Sequence, residues 1–162
     1  MKRFLVIPIV VLILCSGCSK QNTILPTLSN ISFTAQINYG EQEFVCDITI
    51  DNQNLNLVVL EPWVIKGFAV NINEVSTNAE FKGVSYTQDF NSSSQGAITN
   101  IILNVIKDAS VQDMTCDDEN CVITGKVDDY VYKFTFAPSG LPIYLTIDDI
   151  DLKINFKNIT VN

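Results

Sequence analysis

Ser32-Phe33-Thr34-Ala35-Gln36-Ile37-Asn38-Tyr39, then Gly40-Glu41, then Phe44-Val45-Cys46-Asp47-Ile48-Thr49-Ile50-Asp51, is the stretch that decides the fold. Phe33, Ala35, Ile37 and Tyr39 alternate with Ser32, Thr34, Gln36 and Asn38. A period of two gives one apolar and one wet face, hence a half-buried strand. Gly40-Glu41 turns the chain, and Phe44, Cys46, Ile48 and Ile50 alternate with Asp47, Thr49 and Asp51 as the second strand of a hairpin.

The same period runs outward from this hairpin. After Asp51-Asn52, Leu55, Leu57 and Val59 continue it, with Val58 and Leu60 making that strand apolar on both sides. Glu61-Pro62-Trp63-Val64-Ile65-Lys66-Gly67 is a bend between proline and glycine, and Phe68, Val70 and Ile72 resume the alternation. Phe81-Lys82-Gly83-Val84-Ser85-Tyr86 reads as a fifth strand kinked at Gly83. Beyond residue 110, strands are expected at Val111–Thr115, at Val122–Val127, over Tyr130, Tyr132, Phe134 and Phe136, over Ile143, Leu145 and Ile147, and over Ile150, Leu152, Ile154 and Phe156.

One segment breaks the period. Asn91-Ser92-Ser93-Ser94 offers helix caps. Ile98, Ile101, Ile102, Val105 and Ile106 follow at helical spacing, with Thr99, Asn100, Asn104 and Lys107 opposite. Four isoleucines and a valine are mediocre helix formers, so this helix depends on burying its apolar stripe against the sheet. Five strands, one helix and about five strands imply a mainly β fold: a curved antiparallel sheet, a half-barrel, with a helical lid or plug.

The N-terminus gives a location. Lys2-Arg3 precedes the unbroken apolar run Phe4 to Leu14, the pattern of a secretory signal. A membrane-spanning helix needs ~20 apolar residues to cross ~30 Å of hydrocarbon. Ser16-Gly17-Cys18 resembles the end of a bacterial lipobox, with Cys15 where leucine is usual. That resemblance implies a diacylglyceryl cysteine and palmitate at Cys18, cleavage before it, and attachment to the extracytoplasmic face of a bacterial membrane. The expected organisation is a signal peptide over residues 1–17, a lipidated cysteine and tether over 18–30, and one domain over 31–162.

Cleavage would leave eight basic against eighteen acidic residues, a net charge of −10. A chain this acidic, with no basic run, is not built to bind nucleic acid. It has no histidine, which removes Ser-His-Asp and Cys-His catalysis and histidine metal sites. Asp117-Asp118-Glu119 lacks the ligand order and glycine of a calcium loop and reads as a solvated hairpin tip. Asp128-Asp129 and Asp148-Asp149 fall in turns, where aspartate bonds locally. No catalytic residue, metal or cofactor is expected. An exported location permits a disulfide, and Cys116 and Cys121 face each other across the acidic tip, whereas Cys46 lies on an apolar face.

The order of elements resembles the lipoprotein-carrier superfamily (LolA, LolB and LppX-like proteins), and within it small lipoproteins of low-GC Gram-positive bacteria, over most of residues 31–159. The resemblance is carried by the Phe33–Tyr39 strand, the Glu61-Pro62 to Lys66-Gly67-Phe68 bend, Phe81-Lys82-Gly83-Val84, the helix at 94–108 and Pro138-Ser139-Gly140-Leu141-Pro142. It implies a deeply curved half-barrel whose concave face holds lipid or acyl chains under a helical lid. One helix is fewer than that family usually carries.

The expected function is therefore a non-catalytic, membrane-anchored lipoprotein that shelters an apolar ligand. Candidate lining residues are Phe33, Ile37, Phe44, Ile48, Leu57, Val59, Trp63, Phe68 and Val70 on the first strands, and Ile98, Ile101, Ile102 and Val105 on the helix. Tyr132, Phe134, Leu145, Leu152 and Ile154 complete the set from the last strands. Trp63 fits the mouth of a cavity, a contact with membrane or, as a single tryptophan more often does, a buried packing position. The alternative is an envelope module with a filled core that binds another protein. The expected partners are thus the membrane, a lipid ligand and an envelope protein.

Overall fold

The computed structural model describes residues 26–52, 54–73, 75–89 and 98–162. Cys18, the signal segment and the Asn91–Ser94 caps lie outside the described residues. The strands are β1 (Ile31–Tyr39), β2 (Gln42–Asp51), β3 (Asn54–Glu61), β4 (Ala69–Ile72), β5 (Ser76–Phe81), β6 (Val84–Asp89), β7 (Thr115–Cys116), β8 (Cys121–Val127), β9 (Tyr130–Phe136), β10 (Pro142–Ile147) and β11 (Leu152–Val161). Helix α1 (Ile98–Ala109) joins β6 to β7, and 3-10 turns occupy Trp63–Ile65 and Asp148–Ile150.

All eleven strands form one antiparallel sheet in the order β6-β5-β4-β3-β2-β1-β11-β10-β9-β8-β7. Chain neighbours pair as hairpins, and one long-range pairing, β1 with β11, joins the two halves. The sheet is open: β6 and β7 are its edges, and α1 connects them across the concave side of a curved half-barrel.

The alternation becomes two faces. Phe33 pairs with Ile48, Ile48 with Leu57, and Leu57 with Val70, so one inner row crosses four strands. Phe156, Ala35, Cys46 and Val59 form the row beside it. On the outer face Ser32, Thr49, Asn56, Asn71, Asn78 and Thr87 align in the same way. A one-residue slip anywhere would exchange these faces, which is why the register is specified.

Two strands differ from the sequence expectation. Phe81–Tyr86 is not one kinked strand. Lys82 (φ 51°) and Gly83 (φ 81°) form a two-residue turn with both φ values positive, the type I′ geometry that matches strand twist. Phe81 then pairs with Val84 and both face the same way, giving six strands before the helix. Val111 to Thr115 is no strand except at its last residue. The amides of Ser110, Val111 and Gln112 bond back to Ile106, Asp108 and Ala109, so turns extending the helix use the donors a ladder would need. Val111 is accordingly 79% exposed.

Within the stretch read as a tether, Pro26, Thr27 and Leu28 already pack on the domain. Leu28 is buried, and the Thr27 amide donates to the Gly140 carbonyl at 2.9 Å.

Candidate functional site

The inner face of the sheet and the apolar stripe of α1 meet in one core. Ile101, Ile102, Val105, Ile106 and Ala109 of the stripe are buried, and so is Leu103 outside it, so α1 is embedded over a broad arc. Each large aliphatic side chain gains about 1.5–3 kcal/mol on full burial, enough to hold a helix of weak intrinsic propensity. Asn104 and Lys107 are exposed, while Thr99 and Asn100 are half-buried.

The end of α1 is fastened by a polar latch. Tyr132 of β9 pairs with Gly125 of β8, and the missing side chain at Gly125 leaves the space in which the tyrosine ring lies. The Tyr132 hydroxyl donates to Asp108 Oδ2 at 2.5 Å. Gln112 Nε2 donates to both, at 2.6 Å to the carboxylate and 3.2 Å to the hydroxyl. Burial first, then the hydrogen bond to and the charge of Asp108, push the Tyr132 phenol well above its ordinary pKa. Beneath it stand Phe134 and Phe156, stacked at 5.3 Å, with Phe33 edge-on to Phe156 at 4.9 Å.

On the β8 to β11 side α1 rests on β8, and Ile123, Tyr132, Phe134, Leu145, Leu152 and Ile154 are all buried. The β4 to β6 side differs, and a single inner row displays the difference. Phe33 (3% exposed), Ile48 (1%), Leu57 (5%) and Val70 (6%) lead to half-buried Ala79 and then to Tyr86, 64% exposed. The next row ends in the same way: Phe68 and Phe81 are half-buried with rings 6.2 Å apart, and Val84 is 73% exposed. Register places Val84 and Tyr86 on the concave face, where an apolar side chain is ordinarily covered. The concavity therefore has a filled half under α1 and an open apolar wing on β4 to β6.

The residues expected to line a cavity thus share one concavity, with one exception. Phe33, Ile37, Ile48, Leu57, Val59, Val70, Ile101, Ile102 and Val105 are buried, and Phe44, Phe68 and Ile98 are half-buried. Trp63 is not a packing residue: it is 82% exposed on the 3-10 turn beyond the end of β3. Ile65 packs toward the core from that turn instead, and Trp63 borders a surface cleft of about 390 Å³ with Glu61, Pro62 and Lys66. The floor of the open wing, Phe81, Val84 and Tyr86, was hidden by reading residues 81–86 as a single strand. The latch residues Asp108, Gln112 and Gly125 escaped too; a lone glycine between alternating residues of a strand was the available signal.

The remaining chemistry is structural. Cys116 and Cys121 pair directly across β7 and β8 and are joined by a disulfide. The Asp117 carboxylate between them accepts the amides of Glu119 and Asn120, and the latter bond and then the former hold it below its ordinary pKa. Cys46 is a buried free thiol, pushed up to about 11 by burial and by neighbouring Asp47. Among the described residues no cluster of carboxylates and cysteines could hold a metal ion, and no helix is long and apolar enough to cross a membrane.

No protein-family model matches the chain, and no curated protein does. Solved structures do. The chain shares its fold with a conserved, uncharacterised protein of Thermus thermophilus. The similarity has a TM-score of 0.53 at 9% identity and covers 82% of this chain and 78% of the other. A LolA superfamily protein of Nitrosomonas europaea is similar at a TM-score of 0.39 and 9% identity, over 82% of this chain and 84% of that one.

Proposed function

We propose that this protein is a non-catalytic binding protein for an apolar ligand, a lipid or acyl chain, seated on the open wing of the half-barrel. We further propose that Cys18 carries the lipid that anchors it to the extracytoplasmic face of the membrane. The observation that carries the binding reading is the exposure of Val84 and Tyr86 on the concave face, in register with a continuous apolar floor. Apolar side chains aligned with a core but left in water mark surface that a ligand or partner covers. The filled half supplies a rigid wall, and the open half supplies the area to be covered.

A second reading, an envelope module that binds another protein, is favoured by one feature. β6 is a six-residue edge strand with no lysine or proline to discourage strand addition.

Native mass spectrometry of the full chain purified from its host, followed by lipid extraction, tests the first reading. Near-stoichiometric lipid is expected, and Tyr86→Lys should lower its occupancy several-fold while leaving the fold intact at this exposed position. A chain that stays empty after incubation with host membrane lipids refutes it. Labelled palmitate should enter the wild type and not Cys18→Ser; equal labelling removes the anchor from the proposal.

A further inference from the structure

The open wing has a chemical polarity, and its reading as a ligand site, on which this inference rests, can be sharpened accordingly. Its floor is uncharged: Val70, Ala79, Phe81, Val84 and Tyr86 share the inner face. Lys82 stands at its end, and Lys66 lies in the β3–β4 bend at the same end of the sheet. The Lys82 ammonium lies 4.9 Å from the centroid of the Phe81 ring, so the turn between β5 and β6 holds a positive charge over the last ring of the floor. Lys82 makes no ion pair among the described residues.

The acids of this wing among the described residues are turned away. Glu80 pairs with Ala69 and Ser85 on the convex face, and a bulge in β2 and β3 aligns Glu61 with Val45 on that same face. Strand direction puts Asp128, Asp129, Asp148 and Asp149 at the same end of the sheet as Lys82, but over the half that α1 fills. Asp89 closes β6 at the opposite end. A site that took a neutral chain would need no such separation in a protein with a net charge of −8. A cation beside an apolar floor, with carboxylates facing elsewhere, suits a chain bearing an anionic head.

We propose that the ligand is an anionic amphiphile. Its apolar chain lies along Phe81, Val84 and Tyr86, and its carboxylate or phosphate sits against Lys82. The head is exposed, so its preference is modest, about threefold, the scale of a solvent-exposed charge pair.

The test uses the full chain and three probes with the same tail: oleate, oleyl phosphate and oleyl alcohol, titrated calorimetrically at low and high salt. The decisive variant is Lys82→Asn, because asparagine tolerates the left-handed φ of 51° at this turn while removing the charge. The wild type should bind both anions about threefold or more tightly than the alcohol at low salt, with the preference fading at high salt. Lys82→Asn should erase the preference, so that the two anions and the alcohol bind the variant with equal affinity. Tighter binding of the phosphate would point to phospholipids and of the carboxylate to fatty acids; either supports the proposal. Equal affinity for all three in the wild type, or a preference that survives Lys82→Asn, overturns it while leaving the wing a ligand site. Failure of all three to bind overturns the ligand site as well.

Discussion

Replacing Gly125 by alanine should destabilise the protein, although local rules say it should help. Gly125 lies inside β8 and outside the left-handed region, and alanine at such a position ordinarily gains about 0.5–1 kcal/mol by restricting the unfolded chain. Here an added Cβ would fall on the Tyr132 hydroxyl and within 2.6 Å of ring carbon Cε1. The ring must move by about an ångström, yet Tyr132 is 1% exposed and its hydroxyl is fastened to Asp108 and Gln112. Overpacking costs about 1–3 kcal/mol, and disrupting a hydrogen bond to a charged group about 1.5–3. Set against the propensity gain, the net loss should be about 2–4 kcal/mol. Urea denaturation measures it; with a slope of about 1–3 kcal/mol per molar the midpoint should fall by roughly 1–2 M. A double-mutant cycle sharpens the test. In a Tyr132→Val background the ring is gone, and Gly125→Ala should become neutral or stabilising. A neutral or stabilising effect in the wild-type background refutes the account of the latch.

Further consequences concern the latch, the cysteines and Trp63. Because Tyr132 has a raised folded-state pKa, its contribution is fully present below the unfolded tyrosine value of about 10 and is lost as pH rises above it; Tyr132→Phe should reduce that alkaline loss in denaturation curves taken from pH 9 upward. Cutting the Cys116–Cys121 bridge by replacing both with serine opens a short loop and should cost about 2 kcal/mol on chain-entropy grounds, read as a lowered urea midpoint. The Cys46 thiol, buried and with its pKa near 11, should resist alkylation at pH 8 until urea unfolds the chain, as peptide mapping by mass spectrometry would record. Trp63 should emit as a solvated indole and be quenched freely by iodide; protection from quenching in the isolated protein would contradict its exposure.

The legible parts of the fold were those written in short-range periodicity. The strands around Ile37, Ile48, Leu57 and Phe134 and the helix at Ile101–Ile106 follow from periods of two and 3.6, because each element must turn one apolar side toward a core. The misread parts were those in which a two-residue feature outweighs the pattern. At Lys82-Gly83 two positive φ values make a hairpin of what a single kinked strand would also explain. At residues 110–112 the alternating side chains belong to backbone already bonded to the helix. The packing reading of Trp63 fails because composition cannot say which residue of a bend points inward; Ile65 does.

Residue order alone makes this a mainly β chain with one embedded helix, an uncharged inner face and a convex face of hydroxyls, amides and charges. Those properties are set by what each side chain loses or gains in water. The pairing of β1 with β11, the exposure of β6 and β7 as edges, and the covering of one half of the concavity by α1 emerge only in the assembled fold. They depend on contacts between residues more than a hundred positions apart, such as Ile37 with Ile154. No local period encodes such a contact, because many pairings bury the same stripes equally well, and the choice falls to closure of the whole sheet around α1.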